Sequence, residues 1–160
     1  MKKIILLRHG KAADYWSDFE RPLSTKGREE VRNVSSQLLD FSSALPQCVI
    51  CSEATRTKQT LEIFSEVCGK GVFETVYVPT LYHGTLNDVL SSIAKTKDGV
   101  DNLMIVGHNP ILSELTSRLS QQHAALGTAN AAILTQLDSV QNWNDIVSKE
   151  WKLETICQPV

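Results

Sequence analysis

Four short and almost wholly apolar runs, at residues 3–7, 47–51, 73–78 and 102–106, constrain this chain more than any other feature. They lack the apolar–polar alternation of a half-exposed strand, so each suits a strand buried on both faces, the kind found in parallel sheets wrapped by helices. The segments between them carry helical spacing. Val31, Val34, Leu38 and Phe41 recur every three or four residues behind Ser24 and Thr25 as caps, and Leu61, Phe64, Val67 and Cys68 do so after Arg56. A further stripe, Val89, Leu90, Ile93 and Ala94, follows Asn87, and Asn109-Pro110 offers a cap with proline at the first helical position before Ile111, Leu112, Leu115 and Leu119. Residues 131–137 and 149–156 read as two more strands. This alternation predicts one α/β domain over residues 1–160, with three layers: a central, mostly parallel sheet and helices on both faces.

Composition matters chiefly for what it excludes. Sixteen Lys and Arg stand against 18 Asp and Glu, a net charge of −2 that gives no global attraction to nucleic acid or an anionic membrane. Any bound anion must be held by a local cluster. The start, Met1-Lys2-Lys3-Ile4-Ile5-Leu6-Leu7, opens like a signal peptide, yet Arg8-His9 ends the apolar run too soon, and no segment approaches membrane-spanning length. A cytoplasmic protein is expected, so the four cysteines are read as thiols. Cys48 and Cys51 have redox spacing, but residues three apart on a strand face opposite ways.

In open α/β sheets ligands bind beyond the carboxyl ends of the strands. The residues found there are Arg8-His9-Gly10, Ser52 to Arg56, Tyr82-His83-Gly84 and Gly107-His108-Asn109-Pro110. Two arginine forks, Arg8 and Arg56, match the oxygens of a doubly charged tetrahedral anion. His9 can attack phosphorus through one neutral ring nitrogen if a backbone carbonyl holds the other as a donor, and Gly10 lets backbone approach. His108 can donate to a phosphoryl oxygen and so compensate transition-state charge, beside the N-terminus of the following helix.

Leu7-Arg8-His9-Gly10, Ser52 through Arg56-Thr57 with Gln59-Thr60, and Val106-Gly107-His108-Asn109-Pro110 together resemble the histidine phosphatase superfamily. The short chain, Lys11-Ala12, and Asp18 followed by Arg21-Pro22-Leu23 and Gly27 are similar to its small SixA-type phosphohistidine phosphatase branch. The resemblance implies a phosphoglycerate mutase-like fold and a covalent phosphohistidine on His9 hydrolysed by water, with Arg8, Arg56 and His108 binding the phosphoryl group. It implies no metal and no cofactor. The expected partner is a phosphorylated protein, such as a phosphohistidine signalling domain, or a small phosphate ester. A phosphomonoesterase and a catalytically weak phosphoprotein-binding module stand as alternatives.

The chain also departs from the family pattern. Cys51-Ser52-Glu53 replaces a Ser-Ser-Pro common among relatives and brings a carboxylate toward the expected phosphate site. No glutamate after the third strand matches the proton donor of the larger relatives, which leaves His83, Asp18 and Asp88 as candidate acids. Gly10, Asp18, Arg21 and His83 are candidate substrate contacts, although Asp18–Arg21 reads equally well as a surface pair and His83 reads better as a surface residue. His123 reads as solvated loop, and Trp143 and Trp151 as packing.

Overall fold

In a computed structural model describing residues 1–41, 45–69, 73–138 and 142–160, the apolar runs become β1 (Lys3–Arg8), β2 (Cys48–Ser52), β3 (Glu74–Val78) and β4 (Asn102–Gly107). The two later strands are β5 (Ala131–Gln136) and β6 (Trp151–Cys157). All six form one sheet in the order β3-β2-β4-β1-β5-β6. Pairing is parallel from β3 through β1 and antiparallel from β1 through β5 to β6. The helices are α1 (Thr25–Phe41), α2 (Thr55–Cys68), α3 (Thr80–His83), α4 (Leu86–Ala94) and α5 (Ile111–Ser120).

Strand residues alternate between two cores, as the pleat requires. Ile4, Leu6, Ile50, Leu103 and Ile105 face one way, against Leu81 of α3, Val89 and Ile93 of α4, and Leu112 and Leu115 of α5. Ile5, Leu7, Val49, Met104 and Val106 face the other, against Val34 and Leu38 of α1 and Leu61 and Phe64 of α2. Cys48 and Cys51 fall in opposite cores, and burial pushes the Cys51 thiol up to about 12, so neither is placed for redox chemistry with the other. Trp143 and Trp151 stack at 6.2 Å inside the first core.

Several local expectations need correction. The third apolar run is not an inner strand: β3 is the sheet edge, with Val76 and Tyr77 each 46% exposed. Tyr82-His83 is no strand-end turn, because the chain leaves β3 into the single turn of α3. The stripe that follows Asn87 belongs to a helix that begins ahead of it, at Leu86, capped by Thr85 in a reciprocal capping box with Asp88. Pro110 precedes the first turn of α5, while Asn109 Oδ1 accepts from the Ser113 N–H and so caps it. Ser24 caps α1 as expected, accepting from Gly27 N–H at 3.0 Å. Among the described residues no helix is long and apolar enough to cross a membrane.

The connectivity creates the crevice. From neighbouring β1 and β4 the chain departs to opposite faces, α1 covering one and α5 the other, so the carboxyl ends of these two strands are left uncovered between them.

Candidate active site

His9 follows β1 and His108 follows β4, and the two backbones are joined by His9 N–H donating to Gly107 O at 3.1 Å. Their rings lie 5.1 Å apart, tilted by 59°. Both are buried, at 8% exposure each. His9 Nδ1 lies 2.7 Å from Gly10 O, which as an acceptor makes Nδ1 the protonated nitrogen and leaves Nε2 with its lone pair. Arg56 Nε donates to that Nε2 at 3.4 Å. The donor held on one side and the lone pair directed to a guanidinium on the other fix both tautomer and orientation.

Gly10 is itself pinned. Its N–H donates to Thr60 Oγ1 at 3.1 Å, and a Cβ there would lie 2.7 Å from Val31 Cγ2 and 2.8 Å from Gly27 O. Only glycine lets α1 come this close to the His9 loop. Thr60 in turn donates to Arg56 O, so one hydroxyl links the His9 loop to the first turn of α2.

Arg56 is 8% exposed despite its charge. Its Nη1 donates to Asp18 O at 2.7 Å and its Nη2 to Asp18 Oδ2 at 3.2 Å. Asp18 also takes the Tyr82 hydroxyl at 2.7 Å and pairs with Arg21 at 3.5 Å. The Tyr82 hydroxyl, then Arg56 and Arg21, hold the Asp18 carboxyl below its ordinary range. Arg8 Nη1 donates to Leu126 O, while its Nε is buried with no hydrogen-bond partner. Burial first and the Arg56 charge second lower the Arg8 pKa.

Burial, reinforced by Arg56 and Arg8, brings His9 down to about 4 against the upward pull of the Gly10 carbonyl. His108 falls to about 3 through burial, then His9 and Arg56. Both imidazoles are neutral near pH 7, so His9 Nε2 carries no proton and keeps the lone pair that meets Arg56 Nε. His108 Nε2 meets Ser52 Oγ at 2.8 Å, and its Nδ1 is buried without a partner.

The structure thus brings His9, Gly10, Arg8, Arg56, His108, Asp18 and Arg21 into one neighbourhood. It leaves out two of the three candidate acids. His83 is exposed on α3 and its side chain makes no hydrogen bond among the described residues, because the helical turn directs Tyr82, not His83, to the site. Asp88 is spent on the α4 cap. Glu53 is half-buried, with no hydrogen bond or ion pair among the described residues. Three site neighbours carried no sequence signal strong enough to single them out by role: Ser52, Thr60 and Tyr82. Tyr82 lies 5.5 Å from the His108 ring and 5.9 Å from the Arg56 guanidinium. Its place in a run that reads as strand followed by turn hid the helical phase that aims it inward. Among the described residues no group of three or more His, Cys, Asp or Glu gathers as a metal site.

A crevice at a strand-order switch, lined by buried guanidinium and neutral imidazole, is the architecture of an α/β enzyme that handles phosphoryl groups. The model of the histidine phosphatase superfamily (branch 1) matches residues 4–81. An uncharacterized chloroplastic protein of Arabidopsis thaliana is 30% identical over 175 residues, covering 99% of this chain and 78% of its own length. The chain belongs to the histidine phosphatase superfamily and is a phosphatase. Within the superfamily its likeness runs to SixA-type proteins: phosphohistidine phosphatase SixA of Escherichia coli K12 is 29% identical over 119 residues, 73% of each chain. A solved protein histidine phosphatase SixA in complex with tungstate shares the fold, with a TM-score of 0.82 at 24% identity over 98% of this chain and 97% of that one.

Proposed function

We propose that this phosphatase transfers a phosphoryl group from a protein phosphohistidine to Nε2 of His9 and then to water. The observation that carries the reading is the His9 ring itself, with Nδ1 held by Gly10 O, Nε2 facing Arg56 Nε, and the His108 ring 5.1 Å away. In the first step the Nε2 lone pair forms the bond to phosphorus as the substrate's N–P bond breaks, and the departing imidazole leaves with the proton it brought. In the second, water attacks phosphorus, the Nε2–P bond breaks and inorganic phosphate departs. A substrate that arrives protonated lessens the demand for an enzymic acid, consistent with Asp18 being held ionised and His83 lying outside.

Arg8, Arg56 and His108 compensate the equatorial charge, and two guanidinium groups with an imidazole donor let the scheme run without a metal or cofactor. Ser52 sets which nitrogen of His108 donates. When its hydroxyl donates to His108 Nε2, with Oγ still accepting from Ala54 N–H at 3.3 Å, the ring proton sits on Nδ1 and can meet a phosphoryl oxygen. Four unpaired cysteines, three of them buried, fit a reducing cytoplasmic setting.

The test is turnover of a phosphohistidine peptide and of an aryl phosphate by the wild type without added metal. Hydrolysis of the peptide at the higher kcat/KM supports the reading. Hydrolysis of the ester alone favours a phosphomonoesterase, and binding without turnover a recognition module.

A further inference from the structure

Residues 13–21 form a loop beside the crevice that is firmly held yet presents aromatic rings outward. It is anchored by the Ala12–Leu23 bridge, by Ala13 N–H to Pro22 O at 2.8 Å, by Arg21 Nε to Ala13 O, and by Thr55 N–H to Phe19 O. From this fixed frame Trp16 stands 84% exposed, Tyr15 51% and Phe19 40%. The Tyr15 and Trp16 rings lie 5.7 Å apart. Large rings held in water on an ordered loop mark a contact surface rather than packing.

The loop is continuous with the catalytic centre. Ring contacts run from Phe19 to Tyr82 at 5.0 Å, from Tyr82 to His108 at 5.5 Å and from His108 to His9 at 5.1 Å. Asp18, two residues from Trp16, binds Arg56 directly. A phosphoryl group at His9 therefore brings its carrier over these rings. The charge here selects the carrier: Asp14 and Glu20 are exposed and in no ion pair among the described residues, whereas Asp18 is engaged by Arg21 and Arg56. Aromatic faces flanked by free carboxylates attract cationic side chains through both charge and cation–π contact.

We propose that the 13–21 loop is the docking surface for the phosphoryl carrier, and that the carrier presents apolar and Lys or Arg side chains next to its phosphorylated residue. This rests on the phosphatase reading above, and the experiment separates the two. Kinetics are measured on peptides carrying phosphohistidine or phosphotyrosine, each flanked by Lys and Leu or by Glu and Ser, and on a free aryl phosphate. The wild type is expected to prefer the Lys/Leu flanks for whichever phosphoryl group it cleaves. Trp16→Ala raises KM for those peptides by about tenfold at unchanged kcat, leaving the aryl phosphate untouched. Asp14→Asn with Glu20→Gln erases the flank preference. Flank preference on phosphotyrosine peptides alone overturns the phosphohistidine reading but upholds the docking surface. Equal rates for both flanks, or a Trp16→Ala loss that extends to the aryl phosphate, overturn the docking surface. Turnover of no substrate overturns both.

Discussion

Replacing Arg56 by lysine keeps one positive charge but removes the planar fork. In the wild type Nε reaches His9 Nε2 while both Nη atoms hold Asp18. A lysine ammonium can occupy one of these positions, and so cannot both face His9 and hold the loop. Loss of one preorganised donor to a developing oxyanion costs about 2.7–4 kcal/mol, so kcat for the favoured substrate is expected to fall by roughly 10²–10³. The stability cost is far smaller, because Asp18 is 56% exposed and such a pair contributes at most about 1 kcal/mol, a shift of about 2–4 °C in Tm at this chain length. Steady-state kinetics and a thermal melt on the same preparation separate the two effects. A rate within about threefold of wild type, or a melt so depressed that unfolding explains the loss, refutes the assignment of Arg56 to the transition state.

Other consequences follow from the same geometry. Ser52→Ala removes the partner that selects the His108 tautomer and leaves a buried ring nitrogen unpaired, so kcat falls about tenfold to a hundredfold; an unchanged kcat/KM would show that His108 does not donate through Nδ1. His9 and His108 titrate at about 4 and 3 in the folded chain against 6.5 when unfolded, so the unfolded state binds more protons below pH 6.5. Stability is fully present above that pH and declines as pH falls toward 4; in His9→Asn the fall in Tm over this window should be shallower, and parallel curves would mean that His9 is not held neutral by the fold. Gly27→Ala puts a Cβ against the Lys11 backbone, which cannot yield as a side chain would, and lowers Tm by about 5 °C or more; a melt within 1 °C of wild type would show that α1 has room to move.

The sheet and both layers of helices were legible because β1, β2 and β4 are buried on both faces, and after Lys3 and Asn102 they stay apolar up to Arg8, Ser52 and Gly107. β3 misled because Val76, Tyr77 and Val78 look like core, yet edge position is decided by which strand lies beyond, and local sequence carries no record of that. At the site, Arg8, His9 and His108 could be singled out because they end or directly follow β1 and β4, and Arg56 because it lies in the first turn of α2, just beyond β2. The partners that orient them could not. Thr60 reaches Gly10 only because α2 packs on α1, and Tyr82 reaches Asp18 across 64 residues, by way of a single helical turn whose phase the apolar pattern does not reveal. His83, adjacent to Tyr82, points outward for the same reason.

The proposed mechanism requires phosphorus to become bonded to the His9 imidazole. Rapid acid-free quenching of the wild type with radiolabelled phosphohistidine peptide, followed by peptide mapping, is predicted to give one acid-labile, base-stable label on the fragment containing His9, absent in His9→Ala. Label on another residue, or full turnover by His9→Ala, would contradict it.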